Sequence, residues 1–575
     1  MIQGLKAKIG SLINYVKAHW NKPAEGEVVS IKEFASYCFG TMGICGFTYV
    51  CNDLIVFASG YFCGAIMGIS LIDFSIIAII AVIVRYATLY MEPLTMTVFE
   101  NLGDIDKKTA KKCLIAYLST AVIGVCFYFI PSDIRAFESI IKGLPQIIAN
   151  IMVISGVGNL FNWFIRKKFC KKYGRYKPFL LFYGIPVAII SSVIPYIPAT
   201  LDYTTKLILL HALFTLRSRF TLLYNDAPSS IVQVVTPNSV ERQRFYSIGV
   251  IFLGFLRSIF RLILPLLIIF TGGYLDVKTY QVFIPILSAI SVALGFVIVN
   301  VKERVIEKEN RPRVEFKKSF KSLVKNKYFW ITNISSIFTG WNYLADNVIN
   351  WFIIYNMRLE WITGFVGIVA VTSVVGNLLT PLMVKKFEKR TALIVLRSIW
   401  LVVTACYLIA LKMNSIFMLM LFIFIKSAVS AAANGLNSGF NADVLDYHQW
   451  KTGERADNMM GVFSWFTTPI ITILGLLMPF VLKQFGFTSD WGVLFDAEIF
   501  TKVVMTYVVF TIIGLLMSTL PFIFYDLTKD KHAQYVKEIK ERVEGCEDSP
   551  AESEEIIEAP LEEVASAVAG GSENE

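Results

Sequence analysis

Ionisable side chains stand where this sequence is otherwise apolar. Arg85 and Glu92 lie seven residues apart in one apolar run, and Arg219 and Asp226 repeat that spacing in another, with Arg217 one position off. Arg257 and Arg261 are four apart in a third run. Steps of four and seven return to the same face of a helix, so each pair shares a face. Asn342, Asp346 and Asn350 recur at four-residue steps, with Tyr343 and Asn347 beside them and Trp351 below. Carboxylates and amides in such a stripe can accept from and donate to vicinal hydroxyls, while an indole packs on the C–H face of a pyranose. Guanidinium groups can hold a carboxylate, sulfate or phosphate through two parallel hydrogen bonds. The structural alternative is that the arginines bond backbone carbonyls or acids such as Asp53 and Asp73. His211 reads as a hydrogen-bonded core residue and His448 as a solvated loop residue. HExxH, GxSxG and Walker sequences are missing, which argues against a membrane-embedded enzyme and against nucleotide-driven chemistry.

The elements that carry these residues are membrane spans. Of 575 residues, 55% are apolar and only 17% charged, too little charged surface for a soluble chain of this length. Crossing about 30 Å of hydrocarbon takes roughly 20 helical residues. Runs of that order fall at 36–63, 72–98, 112–131, 144–166, 178–198, 205–232, 245–271, 280–301, 329–356, 362–384, 391–411, 414–441, 457–484 and 500–526. Lys and Arg outnumber Asp and Glu by 54 to 44, and the excess sits in every second connection, notably RKKFCKKYGRYK, KKFEKR and KTGER. The alternate connections, among them PATLDY, GGYLDVKT and TSDWGVLFDAE, lack it. Such alternation marks topology and not nucleic-acid binding, and it places both termini in the cytoplasm of a multi-pass protein of the cell membrane. The nine cysteines lack CxxC pairs and metal spacing and read as reduced core residues. The expected layout is a cytosolic leader over 1–32, an N-terminal bundle with an extra helix pair over 33–301, a basic cytosolic linker over 302–328, a C-terminal six-helix bundle over 329–527, and a disordered acidic tail over 528–575.

An internal repeat gives the architecture. KKYGR at Lys171 is answered by KKFEKR at Lys385, and Glu241-Arg242 by Glu454-Arg455, both at an offset of about 214 residues. Two related bundles joined by a charged linker are the layout of major facilitator transporters. The expected fold is therefore an all-α integral membrane protein of that type, two pseudo-symmetric six-helix bundles plus two extra helices within 36–166.

Specific segments resemble the glycoside-pentoside-hexuronide:cation symporters, the melibiose-permease-like branch of that superfamily. ADVLDYHQWKTGERADN at Ala442 to Asn458 looks like the family's loop between helices ten and eleven. GRYKP at Gly174 to Pro178 is similar to the segment after helix two, and NDAP at Asn225 to Pro228 to the helix-four segment. NYLADNVINWFIIY at Asn342 to Tyr355 looks like helix seven, and SYCFGTMG at Ser36 to Gly43 like the start of helix one. The resemblance spans roughly 30–530. It implies a substrate site between the bundles, with Asp226 at a sugar-contacting position and Asn434 where the melibiose type has a stacking tryptophan, a platform that Trp351 or Trp341 would have to supply. Helix two of the family carries two sodium-binding aspartates. Matched to 72–98 it offers Thr88 and Glu92, and matched to 144–166 it offers no carboxylate. The family's aspartate of helix one falls on Cys45. A coupling proton, carried at Glu92, is therefore expected over sodium, which needs several hard oxygen ligands; no other cofactor and no metal is expected. The loop residues Arg175, Lys177, Asp443, Asp446, Lys451 and Arg455 are expected to act as a conformational latch between bundles.

The resulting expectation is a monomeric symporter of a sugar or glycoside, anionic in the manner of a hexuronide. Its contacts would be Asp226, Arg219, Arg257, Asn342, Asp346, Asn347, Trp351 and Asn434, with the lipid bilayer its surroundings. The alternatives are an uncoupled or proton-coupled transporter of a non-sugar solute and a non-transporting sensor on the same fold.

Overall fold

The computed structural model describes residues 14–25, 27–50, 61–87, 107–131, 142–174, 176–236, 255–268, 270–304, 323–357, 386–413, 415–452, 467–487 and 490–547, with isolated positions between them. The chain is helical throughout these segments. In the N-terminal half α1 (Ile31–Thr48) and a π-helical stretch (Tyr61–Ile66) precede α2 (Leu71–Ala87), α3 (Lys107–Tyr128), α4 (Leu144–Ile165), α5 (Lys177–Val193), α6 (Tyr203–Val235), α7 (Phe255–Ile268) and α8 (Val277–Phe296). The C-terminal half holds α9 (Lys327–Met357), α10 (Lys389–Lys412), α11 (Ile416–Thr452), α12 (Leu477–Gln484), α13 (Ala497–Thr519) and α14 (Lys529–Glu547). Every expected span overlaps one of these helices except 362–384, which lies largely outside the described residues. Among the described residues, eight helical stretches are long and apolar enough to cross a membrane by length and composition alone. At 33 and 31 residues, α6 and α9 are also long enough, but they carry the polar residues singled out above.

Helix starts follow from the non-basic connections. Asp202, Asp276 and Asp496 each accept hydrogen bonds from the first-turn backbone N–H groups of α6, α8 and α13, and their negative charge suits the positive end of the helix dipole. The two sets of connections gather at opposite ends of the molecule. At the basic end, the Arg304 guanidinium donates to both carboxylate oxygens of Glu33 at 2.7 and 2.8 Å, and Glu241 accepts from the backbone N–H of Val28 at 2.7 Å. Lys327 donates to Asp526 at 2.7 Å at the same end. At the other end, Gln281 donates to the Pro195 carbonyl and Tyr203 to Asp73.

Apolar packing divides in the same way. In the N-terminal half α1 packs against α8, α7 and α6, which makes it a member of the bundle, while α3 forms a hairpin with α4. In the C-terminal half α9 packs on α13, and α10 on α11 and α13. The halves meet at the end opposite the basic connections. There Trp351, Tyr355 and Met420 of the C-terminal half join the core around Phe62, Ile69 and Tyr280, and Leu71 and Phe74 join the core around Phe352 and Trp491.

The tail differs from its expected disorder over its first part, because residues Lys529–Glu547 form α14. Tyr535 stacks on Trp450 of α11 with ring centroids 4.1 Å apart, and the Trp450 indole donates to Glu538 at 2.5 Å. The acidic composition that signals disorder starts only at Gly545, and the residues upstream of it carry the aromatic side chain that docks the helix. Residues beyond 547 lie outside the described ones.

Candidate functional site

Three helices of the C-terminal half converge on one buried charge pair. Lys426 of α11 donates to Asp346 Oδ1 of α9 at 2.5 Å and to the Tyr507 hydroxyl of α13 at 2.7 Å, and that hydroxyl in turn donates to Asp346 Oδ1 at 2.6 Å. The side chains are 8% and 16% exposed, so neither charge has water as its main partner. The ammonium also lies 5.2 and 5.9 Å from the ring centroids of Tyr507 and Tyr407. The sequence places Asp346 among the expected ligand contacts, whereas Lys426, inside the apolar run IFMLMLFIFIK, is not among them. The cost of a charge at membrane depth, which singled out the arginines, applies to it equally.

One turn earlier on α9, Tyr343 is 48% exposed and accepts a hydrogen bond from the Asn434 side chain of α11. Arg257 of α7, from the other half, lies within electrostatic reach of Tyr343 and of Cys45 on α1. Thr48, nearly one turn beyond Cys45, is bonded to Asn225 of α6 at 3.3 Å. Arg257 thus lies near Cys45 of its own half and near Tyr343 of the other, and Asn434 holds the Tyr343 hydroxyl; the region they share lies between the halves. The backbone of Asp226 belongs to α6 and that of Asn347 to α9, but their side chains fall outside the described residues, as do those of Arg85 and Arg261. Thr88, Glu92, Arg175 and Arg455 are outside them altogether.

Other expected residues have different neighbours. Arg219 lies across α4: a Cβ placed on Gly158 would stand 2.9 Å from its Cγ. Arg217 is buried against the Phe214 ring. Asn342 is 1% exposed and wedged against Gly514 of α13, within the C-terminal half and away from the shared space. Trp351 meets Tyr274 of the N-terminal half edge to face, with ring centroids 6.3 Å apart, and so belongs to the seal between the halves.

Of the loop residues expected as a latch, the described Asp443 and Asp446 have partners in the C-terminal half. Asp443 binds Lys389 at 2.7 and 2.8 Å, and His532 lies 3.1 Å from Asp446 and 3.5 Å from Asp443. The Asp446 hydrogen bond, supported by the charge of Asp443, raises the His532 pKa above its ordinary value. Lys451 is exposed over the Tyr447 ring. The backbone N–H groups of Tyr176 and Lys177 donate to Glu303 at 3.1 and 3.2 Å. Gly174, at φ 107°, lets that carboxylate approach, since a Cβ there would lie 2.9 Å from it. His448, expected in a solvated loop, is instead buried in α11, because the helix runs on to Thr452 and α14 covers it. The buried Arg397 of α10 was also missed; it donates to the Ser518 carbonyl at 2.5 Å and to the Ser335 hydroxyl at 2.9 Å.

Comparison with known proteins places this arrangement. Residues 147–529 match the family model described as MFS/sugar transport protein. An isoprimeverose transporter of Lactiplantibacillus pentosus is 23% identical over 434 residues, covering 72% of this chain and 89% of that one. A candidate sulfoquinovose importer of Escherichia coli (strain K12) is 23% identical over 377 residues, covering 64% of this chain and 79% of that one. Among solved structures, a bacterial homologue of the human lysosomal transporter Spinster superposes with a TM-score of 0.52 at 10% identity, over 89% of this chain and 99% of that one, which supports the fold. With the family model spanning most of the chain over the helices just described, this protein belongs to the MFS/sugar transport protein family of membrane transporters, which are not enzymes.

Proposed function

We propose that the chain is a secondary active symporter of a sugar or glycoside carrying an anionic group, working by alternating access of its two halves with both termini in the cytosol. The observation that carries this reading is Arg257 of one half within electrostatic reach of Tyr343 of the other, whose hydroxyl accepts from Asn434. A guanidinium, a phenol and an amide around one space suit an acidic sugar: the first takes the anion and the others its hydroxyls. Asp226, on the neighbouring α6, is assigned to hydroxyls as well. The name of the Escherichia coli relative, a candidate importer of a sulfonated sugar, agrees with an anionic substrate. The name of the Lactiplantibacillus relative, whose sugar is neutral, favours a second reading in which Arg257 serves structure alone. Proteoliposome uptake of a radiolabelled glucuronide and the matching glucoside separates them. The first reading expects the glucuronide to be preferred and Arg257→Gln to reduce that preference at least tenfold; preference for the glucoside, or a variant that discriminates as wild type does, would reject it.

A further inference from the structure

We propose that the buried cluster Asp346, Lys426 and Tyr507 is a proton-binding site of the C-terminal half through which substrate movement is coupled to proton movement. The inference rests on the transport reading above but not on the charge of the substrate. A buried ion pair is a poor device for stability, since an apolar replacement of similar volume is in many cases at least as stable. Its retention at membrane depth asks for a function. Sodium does not fit, because the one carboxylate among the described residues of the cluster is already occupied by an ammonium, which repels a second cation, and a hard cation needs several oxygen ligands. A proton does fit. It adds to the Asp346 carboxylate and turns it into a neutral acid, and the Lys426 ammonium is left on the Tyr507 hydroxyl oxygen and the Tyr407 and Tyr507 rings. When the proton leaves, the ion pair re-forms, and no other bond changes.

Among the described residues, the groups facing Asp346 from the packed helices are Lys426 of α11, Tyr507 of α13 and Tyr407 of α10, with Tyr343 on its own helix. Tyr343 ties the cluster to the shared space, since it lies one turn from Asp346, is held by Asn434 and feels Arg257 of the opposite half. Protonating Asp346 leaves one uncompensated positive charge in the cluster, which favours electron-rich substrate groups beside Tyr343. Proton and substrate therefore favour each other's binding, as symport requires.

The test uses the full chain in proteoliposomes, with the glucuronide and the glucoside as probes. Downhill sugar entry into wild-type vesicles should alkalinise the outer medium, and Asp346→Asn should lower the protons moved per sugar moved at least tenfold. A variant with the wild-type ratio overturns the proposal, and so does a wild type that moves sugar without protons. If wild type moves neither sugar, the transport reading fails and the proton site is decided separately. Infrared difference spectra between acidic and alkaline buffer should show a carboxylic acid band that Asp346→Asn removes and Lys426→Met shifts; a band unaltered by either variant overturns the proposal. The same spectra decide if Asp346→Asn abolishes transport altogether.

Discussion

His532 of the C-terminal helix lies 3.1 Å from Asp446 of α11, joining the last described helix to the loop segment through which the sequence resembles cation symporters. The hydrogen bond to Asp446 and the charge of Asp443 raise the histidine pKa, against the opposing effects of burial and of Lys389. A group whose folded pKa lies above its unfolded value contributes stability below the unfolded value and loses it as pH rises through the folded one. The α14 contact should therefore be tightest in acid and loosen above the raised pKa. His532→Gln should abolish this pH dependence, and for a partly exposed pair the effect is about 1 kcal/mol, or about fivefold in local opening. Hydrogen exchange across 529–547 at several pH values measures it; exchange protection that does not vary with pH beyond the intrinsic rate would refute the assignment.

Asp443 and Lys389 form the tighter pair beneath that helix. The Asp443 side chain is 7% exposed and its partner 26%, so removing one member strands a charge that water reaches poorly. Asp443→Ala should destabilise the C-terminal half by about 2–3 kcal/mol, at the lower end for a buried pair because Lys389 retains some solvent. The exchange Lys389→Asp with Asp443→Lys should recover part of that loss. Thermal unfolding in detergent reads both, and an Asp443→Ala protein as stable as wild type would show the pair to be incidental.

Much of this was legible in the sequence because apolar length, loop charge and a 214-residue offset are one-dimensional signals. The helices and the alternating charge of their connections are of that kind, whereas the 214-residue offset and the resemblance of the segment following Ser36 to helix one point to different places for the extra helix pair, and only the packing of α1 on α8, α7 and α6 shows its neighbours. The direction of a side chain about its helix is not. Asn342 and Asp346 occupy one face by spacing and both meet α13, yet the first packs against Gly514 while the second bonds to Tyr507 and to Lys426 of α11, a difference set by the partner helices. Lys426, Lys389 and His532 needed partners from distant helices to be recognised, and the one-dimensional text pairs none of them.

Gly514 provides the next prediction. A Cβ at this position would clash with Asn342 Oδ1, so any side chain must separate α9 from α13 or expel the amide. Gly514→Val should cost about 2–3 kcal/mol by overpacking. Asn342→Ala should be milder and should relieve part of the Gly514→Val penalty in the double variant. A strictly additive double variant, measured by the same thermal unfolding, would show that the two positions do not meet.

The contact between Trp351 and Tyr274 concerns access to the shared space. Their rings meet edge to face at the end opposite the basic connections, where the cores of the two halves merge, and Cys45 of α1, within electrostatic reach of Arg257, serves as a thiol probe of the region between the halves. A thiol reagent arriving from that end must pass the aromatic contact to reach Cys45. An aromatic pair contributes about 0.5–1.5 kcal/mol beyond its buried area, so Trp351→Ala should shift the balance toward states open at that end by about 2- to 10-fold. The labelling rate of Cys45 by a membrane-impermeant maleimide, applied to the outer face of right-side-out vesicles and corrected with Cys45→Ser, should rise by that factor. Labelling from the opposite face should fall or stay level, since the same protein cannot favour both openings at once. Equal acceleration from both faces would mean that Trp351→Ala loosens the fold as a whole, and an unchanged outer rate would mean that the Trp351–Tyr274 contact does not form the seal.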